Sequence, residues 1–327
     1  MWGAILRDAL SHRQRGDVAL YLQILVTGLA TGAGYGLVAI AYALIYRLTG
    51  VVHFALGELI GLAVFVTLLV AAGTGPVTQT NVDGWRFVGA LVVGVLVAGA
   101  VGALSYALVR PFLRRANAIG WIGAIVGLTF ALRGLLAATF VRESYVFPDP
   151  IPFHRLSNGG VIQLGGGAAL PVRSFYVLAA GILLAAAATW FLERSQVGEA
   201  LQALASNRTG AAAVGLPVDR LLVLAFVLTG VLASVAGVVA APAGPVSANT
   251  GALLGLNGLA AALMTRFGTG RSVFVAGLGL GVLEVAVATL HVGGLRLGAE
   301  YRDILPLAVA VAVMAVRGRG QTLAEVE

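Results

Sequence analysis

A series of long apolar runs is the feature that most constrains what this chain can fold into. The runs lie at 19–46, 51–72, 87–109, 118–139, 175–192, 221–241, 251–264, 272–290 and 304–316. About 20 apolar residues in a helix cross the roughly 30 Å hydrocarbon core of a bilayer, and a helix satisfies its own backbone hydrogen bonds in lipid. The sequence therefore predicts an all-α fold, a polytopic transmembrane helical bundle of about eight to nine spans.

One run, at 251–264, is short and glycine-rich, so it could be a half-helix or a re-entrant segment. Composition supports the membrane assignment for the rest. Hydrophobic residues make up 59% of the chain and charged residues only 11%, whereas a soluble domain has about 25% charged residues. The chain cannot build a water-exposed surface of ordinary size, so we expect it to lie in a lipid bilayer.

Several classes of function are excluded by missing residue types. The chain has no Cys, which excludes disulfides, thiolate catalysis and cysteine-ligated metals. It has no Lys, which the nucleotide-binding P-loop requires. The four His are widely separated and show no metal-ligand spacing. We therefore expect no enzymatic activity, no metal and no cofactor in this chain.

The positive charges indicate an orientation rather than a nucleic-acid partner. Arginines lie at the ends of apolar runs, without the basic patch that nucleic acid would require. The clusters at 110–115, 193–220, 266–271 and 317–319 fall on one side if the spans alternate, and by the positive-inside rule that side is the cytoplasm.

This orientation divides the chain into a transmembrane domain, loops on either side of the membrane and two tails. We expect a transmembrane domain over 19–316, with a cytoplasmic loop at 193–220 and an extracytoplasmic loop at 140–174. Residues 1–18 form an N-terminal tail without signal-peptide features, and residues 317–327 form a cytoplasmic C-terminal tail. The side of the N-terminus stays open: either it is external, or a segment near 50–58 re-enters without crossing.

Small residues recur at helical spacing in two of the runs. Gly28, Gly32 and Gly36 share one helix face, as do Gly277 and Gly281. In lipid such small-xxx-small steps let helix backbones approach closely. Tight helix packing is the interpretation we favour for both sets.

The segment at 53–58 joins two apolar runs and contains His53, Phe54, Gly57 and Glu58. A carboxylate at the start of a helix is favoured by the helix dipole, and Gly57 permits a break in the chain. Glu58 could simply cap the second span at its aqueous end. Alternatively, a broken helix here could present polar groups to a zwitterionic solute, as discontinuous helices do in transporters.

Two ionisable residues lie inside apolar runs, Glu284 and Arg133. A charged side chain at the centre of a bilayer costs at least ~2.5 kcal/mol, so each should face a polar cavity or a partner. The two could pair with each other. A structural pair and a position on a solute pathway are equally compatible with the sequence.

A helical-period stretch at 195–215 is polar enough to lie in water. Ser195 can cap its start, and the Gly215-Leu216-Pro217 sequence should end it. The stretch is either an ordinary connector or a surface on which a soluble partner docks. Docking is favoured because a connector does not need a well-formed, alanine-rich helix. The candidate contact residues are Gly198, Glu199, Ala200, Ala203, Ala205 and Gly215.

In these motifs the chain resembles the LivH-type permease subunits of ABC importers for branched-chain amino acids, from about residue 28 to residue 316. That family reads Asn-Phe-Ala-x-Gly-Glu where this chain has His53 followed by Phe54, Ala55, Gly57 and Glu58. The cytoplasmic loop resembles the family's Gly-x-Ala-x-Arg-Ala-x-Ala, with Gln202 where Arg is common. The late Gly-x-x-x-Gly-x-x-Glu is similar to Gly277, Gly281 and Glu284.

The resemblance implies a set of partners in a bacterial cell membrane. The chain would form half of a translocation pore with a second, LivM-like permease. Two cytoplasmic ATPases would bind ATP and grip the 198–215 helix, and an extracytoplasmic solute-binding protein would deliver substrate. The resemblance also implies that His53, Phe54, Gly57, Glu58 and Glu284 line the substrate pathway.

Alternatives stay open both for the substrate and for the class of transporter. His53 in place of Asn, and Ser272-Val273 where the family has a Pro, leave urea or short amides as alternatives to branched-chain or related amino acids. The rival from another class is a stand-alone secondary transporter or channel, in which residues 193–220 only connect two spans.

Overall fold

Helices account for most of the chain that the structure, a computed structural model, describes: residues 2–73, 82–115, 118–140, 143–147, 160–165, 168–241, 246–289, 308–309 and 311–315. In chain order they are α1 (Trp2–Thr49), α2 (Leu56–Ala72), α3 (Gly84–Arg114), α4 (Ala118–Thr139), α5 (Val172–Arg194), α6 (Gln196–Ser206), α7 (Arg208–Ala213), α8 (Val218–Ala240), α9 (Thr250–Met264) and α10 (Gly270–Thr289). Two strands, β1 (Val161–Gly165) and β2 (Ala168–Pro171), precede α5. Residues 308–309 and 311–315 are also helical.

Among the described residues, six helices are long and apolar enough to cross a membrane: α1 from Val18, α3, α4, α5, α8 and α10. Two further apolar helices are shorter, α2 with 17 residues and α9 with 15. The predicted transmembrane bundle is therefore confirmed, including the short helix expected at 251–264. The last predicted run, at 304–316, lies partly outside the described residues, and its described parts, 308–309 and 311–315, are helical.

The first span is the centre of the bundle. Of its most apolar stretch, 78% is buried inside the chain, compared with 22% for α4 and for α5. The α1 helix packs against α5, α8, α9 and α10. The weakly buried α4 and α5 leave most of their surface to lipid or to another protein.

The glycines of the first span pack against α10, as the small-residue spacing predicts. A Cβ on Gly28 would lie 2.6 Å from the Cα of Val282, and one on Gly32 would lie 2.6 Å from the carbonyl oxygen of Gly277. Because the contacts run from 28 with 282 to 32 with 277, the two helices are antiparallel. Their backbones approach as closely as small residues allow.

The two short helices meet in a similar way. A Cβ on Gly251 of α9 would lie 2.5 Å from the carbonyl oxygen of Gly57, and one on Gly255 would lie 2.6 Å from the Gly57 Cα. The α2 helix starts inside the bundle, since His53 just before it packs against Phe226, about two turns into α8. Discontinuous helices of this kind are typical of transporters.

A β-hairpin lies at one end of the bundle, which we name the hairpin end. β1 and β2 are antiparallel, with Val161 paired to Pro171 and Gln163 paired to Ala169. The Ala169 amide donates a hydrogen bond to Gln23 Oε1 on α1 at 3.0 Å. The sequence predicted only a loop here, because two strands this short carry no periodic signal.

The opposite end of the bundle carries α6 and α7, and we name it the coupling-loop end. There α6 lies beside the last turns of α1 and α5 and the residues that lead into α10. The first span therefore runs from Gln23 at the hairpin end to Arg47 at the coupling-loop end. Residue 18 and the loop at 195–215 lie at opposite ends of the bundle.

Candidate functional site

A large cavity opens between the helices in the hairpin half of the bundle. Its volume is about 610 Å³, within the range of small-molecule sites. Helices α1, α2, α5, α8, α9 and α10 all contribute to its wall. Much of the wall is aliphatic, and its polar residues are Thr27, Thr31, Tyr35, Arg173, Ser174, Thr250, Asn257, Glu284 and Thr289.

Glu284 lines this cavity from α10 and is only 2% exposed. The Tyr35 hydroxyl, on α1, donates a hydrogen bond to Glu284 Oε2 at 2.5 Å. The close glycine packing of α1 on α10 brings the two residues together. A carboxylate held by a hydroxyl at a cavity wall can receive a cation or a hydrogen-bond donor from a solute.

Asn257 lines the same cavity from α9 and is 3% exposed. Its Oδ1 has no hydrogen-bond partner among the described residues. Because a buried acceptor without a partner is costly, such groups in native proteins need an explanation. A ligand or an ordered water in the cavity would supply the missing donor.

The segment at 53–58 lies elsewhere. His53 is 1% exposed and meets the Phe226 ring edge-on, with ring centroids 5.5 Å apart. Phe54 is 47% exposed, and Gly57 lies at the contact between α2 and α9. Of the predicted pathway residues, only Glu284 lines the large cavity, and the role of the others on a pathway stays a prediction.

Glu58 pairs with Arg133, which corrects the pairing considered between Arg133 and Glu284. Arg133 Nη1 lies 3.1 Å from Glu58 Oε1, and Nη2 donates to Asn249 Oδ1 at 2.6 Å. Arg133 thus joins the first turn of α2 to Asn249, which precedes α9. Glu58 is almost fully buried and its Oε2 has no partner among the described residues, whereas Arg133 is 46% exposed.

The loop at 195–215 holds two helices, where the sequence predicted one. Ser195 caps α6 as predicted, its Oγ accepting from the Gly198 amide at 2.9 Å. Asn207 then ends α6 and caps α7, its Oδ1 accepting from the Gly210 amide at 2.8 Å. The chain breaks at Asn207 because its side chain satisfies the amide groups at the start of a new helix.

The predicted end of the stretch at Gly215 is confirmed. Gly215 has φ of +86°, and its amide donates to Ala212 O while that of Leu216 donates to Ala211 O. This pattern is the Schellman motif, in which a residue with positive φ closes a helix.

The candidate contact residues of the loop divide by exposure. Glu199, Ala203 and Gly215 are exposed, Ala200 and Ala205 are half-buried, and Gly198 is buried. A Cβ on Gly198 would collide with Leu192 O, so this glycine sets the close packing of α6 on the end of α5. Gln202 reinforces that contact, its Nε2 donating to Leu192 O at 2.5 Å.

Comparison with known proteins identifies the family. Residues 24–314 match the family described as "Branched-chain amino acid transport system / permease component". The chain belongs to this permease family.

Curated relatives of the permease agree with that assignment. It is 26% identical, over 92% of its length and 94% of the relative's, to the high-affinity branched-chain amino acid transport system permease protein LivH of Escherichia coli K12. It is 25% identical to the corresponding BraD protein of Pseudomonas aeruginosa, over 93% and 96% of the two chains. The permease is thus a multi-pass membrane transport protein, and its family is not an enzyme family.

Several polar residues of the permease were not predicted from the sequence. Tyr35, Asn257 and Arg173 line the cavity with Glu284, and Asn249 binds Arg133. A signal was available for Asn257, a lone amide inside an apolar run. No such signal was available for Tyr35, because a tyrosine among glycines is equally typical of helix packing.

Proposed function

We propose that the permease is one membrane subunit of a bacterial ABC importer and forms half of a translocation pathway for branched-chain or related amino acids. A second, LivM-like permease would complete the pathway. Two cytoplasmic ATPases would bind and hydrolyse ATP, and an extracytoplasmic solute-binding protein would deliver the substrate. The permease would lie in the bacterial cell membrane.

The observation that carries this proposal is the construction of the coupling loop. The α6 helix is capped at both ends, packed by Leu201 and Leu204 against the bundle, and exposed on its outer face. A stable, fixed helix with a low outer surface suits docking of a soluble protein. A passive connector would not need three capping motifs, at Ser195, Asn207 and Gly215, in about 20 residues.

Arginine placement supports a cytoplasmic position for this loop. Arg47, Arg194, Arg208, Arg220, Arg266 and Arg271 all lie at or beside helix ends on this side of the bundle. Cytoplasmic loops carry such an excess of positive charge. The hairpin and the mouth of the large cavity would then face the solute-binding protein, and the first span would begin on the outer side.

The packing of α6 suggests how ATP-driven movement could reach the cavity. A smaller space of about 120 Å³ is lined by α6 together with the last turns of α1 and α5 and the start of α10. Those three helices also form part of the cavity wall. A pull on α6, which is tied to α5 through Leu192, would tilt helices that line the solute site, as in rigid-body switching between outward- and inward-open states.

The docking step can be tested with Ala203→Trp. Ala203 is exposed on α6, so the substitution should leave the fold intact while blocking close approach of an ATPase. We expect co-purification of the ATPases to fall at least about tenfold, the equivalent of about 1.4 kcal/mol. The matched control is Gln163→Trp, at an exposed position of the hairpin, which should retain the ATPases.

Two outcomes would reject the proposal. One is unchanged ATPase co-purification and uptake with Ala203→Trp. The other is uptake that continues without any ATPase and follows an ion gradient, which would establish the stand-alone transporter. Uptake of urea or short amides in place of amino acids would leave the assembly standing and correct the substrate.

A further inference from the structure

A groove of about 550 Å³ runs between α5 and α10 on the outside of the bundle and ends at the coupling-loop end. We name it the α5–α10 groove. Helix α5 lines it with a row at helical spacing, and α10 with two residues of its first turns: Ile182, Ala186, Trp190, Arg194, Arg271 and Val275. It shares no lining residue with the large cavity. We propose that this groove binds one anionic phospholipid, whose phosphate contacts Arg194 and Arg271 and whose acyl chains lie along the apolar part.

The fold fixes the two walls of the groove through α1. A Cβ on Gly181 of α5 would lie 2.6 Å from the Cβ of Ala33, and one on Gly36 would lie 2.9 Å from the carbonyl oxygen of Phe274 on α10. Helices α5 and α10 thus pack on the same span. Their most apolar stretches are only 22% and 28% buried, so the groove is open to whatever surrounds the bundle.

The residues along the groove change from apolar to charged in the order of the layers of a membrane. Ile182 and Val275 are 46% and 64% exposed, and such side chains belong in hydrocarbon. Trp190 is 67% exposed and precedes Arg194 by one turn, as aromatic residues do at the interface with the headgroups. From residue 182 to residue 194 the helix rises about 18 Å, slightly more than half of the roughly 30 Å hydrocarbon core. The groove therefore has the length of one lipid leaflet.

The charged end of the groove has an excess of positive charge. Arg194 and Arg271 line it together with a single acid, Glu193. Arg271 Nη2 lies 3.5 Å from Glu193 Oε2, but the Arg271 side chain is 80% exposed, and exposed ion pairs contribute little stability. Arg194 forms no ion pair with any residue that the structure describes. Both guanidinium groups are therefore accessible to a further anion.

A phosphodiester is the anion that suits this position. The planar fork of arginine binds phosphate oxygens through two parallel hydrogen bonds. A headgroup with net negative charge compensates the excess of positive charge, whereas the headgroup of phosphatidylcholine brings a cation of its own. Basic pockets between membrane helices on the cytoplasmic side select anionic headgroups for this reason.

Another protein subunit is the alternative occupant. It would have to bury both arginines, which is costly unless each meets a carboxylate of that subunit. A phospholipid supplies its phosphate at the depth of the arginines and its acyl chains at the depth of Ile182 and Val275. The order of apolar and charged residues therefore favours the lipid.

The proposal can be tested by photo-crosslinking in vesicles. The full-length permease, with any subunits that co-purify, is reconstituted in phosphatidylcholine with a small share of phosphatidylglycerol that carries a diazirine on an acyl chain. Peptide mass spectrometry then locates the attached lipid. We expect attachment to the α5 and α10 residues of the groove to exceed, at least about fivefold, that of a phosphatidylcholine with the same modified chain.

Arg194→Gln tests the recognition of the headgroup without breaking an ion pair. It should lower attachment of phosphatidylglycerol about fivefold and leave that of phosphatidylcholine unchanged. Adding Arg271→Gln should lower it further. The matched control is Arg115→Gln with Arg220→Gln, which removes two exposed charges outside the groove. Both lie at the coupling-loop end, because Arg110 near the end of α3 pairs with Asp219 at the start of α8. The control should retain the attachment.

Three results would overturn the lipid site. Equal attachment of the two lipids would mean that the groove does not select charge. An equal loss in the control would mean that positive charge at this end attracts anionic lipid without a site. Absence of lipid from both helices would mean that another protein covers the groove. Because both leaflets of the vesicle hold the probe, none of these outcomes depends on orientation or on ATPases. Loss of ATPase co-purification would reject the importer and leave the lipid result standing.

Discussion

Two carboxylates buried among membrane helices of the permease differ in what surrounds them. Glu58 and Glu284 are 3% and 2% exposed, and each is the lone acid of its helix. Glu58 forms an ion pair with Arg133 beside the contact of two short helices. Glu284 accepts from the Tyr35 hydroxyl and lines a cavity of about 610 Å³.

The surroundings of the two carboxylates distinguish one that holds helices together from one that lines a cavity. An Arg partner neutralises Glu58 and fixes α4 to the starts of α2 and α9, which is a structural task. Glu284 accepts from a hydroxyl and lines a cavity. In a membrane protein, an acid that lines a cavity is the better candidate for contact with solute than an acid outside it.

The largest effect should follow from Arg133→Leu. It removes the cation from a buried carboxylate. Breaking a fully buried pair destabilises a protein by about 3–5 kcal/mol, and because Arg133 is 46% exposed we expect the lower end of that range. We expect a marked fall in the thermal stability of the purified permease. Adding Glu58→Gln to the same chain should recover part of the loss, since no charge is then left unpaired.

The control for this pair is Phe130→Leu, at an exposed position on the same helix, which should change little. If Arg133→Leu is as stable as this control, the ion pair is not structural. Glu58 would then have no structural role that distinguishes it from Glu284.

A smaller effect, on stability and on the surroundings of Glu284, is expected from Gly32→Val. A side chain at Gly32 would meet Gly277 O at 2.6 Å and Leu278 Cα at 2.7 Å, so α1 must move away from α10. Overpacking of this kind costs about 1–3 kcal/mol. It should also separate Tyr35 from Glu284 and lower the rate of leucine uptake by the importer.

The matched control is Gly279→Val on α10, where an added Cβ would meet nothing within 4 Å. It should retain both stability and leucine uptake. Full leucine uptake in Gly32→Val would show that transport does not depend on the α1–α10 contact.

The sequence predicted what depends on neighbouring residues. Ser195 begins a helix and Gly215 ends one, each through a hydrogen bond to a residue three positions away, and both were predicted from local motifs. The break at Asn207 was missed although Asn is a preferred capping residue, because the alanine-rich periodicity continues through it. The tight packing of Gly32 and Gly277 was predicted as well, without its partner helix.

What the sequence did not predict depends on contacts between distant residues. An isolated Glu or Arg in an apolar run signals that a partner exists, but the partner is chosen by the packing of whole helices. Glu284 meets a residue 249 positions away, and Arg133 meets one 75 positions away. The cavity likewise needs six helices in place, so no local pattern could have located it.

The smallest effect is expected from Tyr35→Phe. It tests the comparison of Glu58 with Glu284 most directly, because it changes only the hydroxyl that donates to Glu284. The substitution keeps the ring and removes one hydrogen bond to a charged group, which is worth about 1.5–3 kcal/mol; water in the cavity should replace part of it. We expect the rate of leucine uptake by the importer to fall about fivefold, as about 1 kcal/mol implies.

Tyr106→Phe is the matched control, because its hydroxyl also donates to a carboxylate, Asp219 Oδ1, at 2.8 Å but at the coupling-loop end. It should leave leucine uptake unchanged. An equal fall in both variants would mean that the loss acts through general stability, and the Tyr35 hydroxyl would then have no particular part in transport.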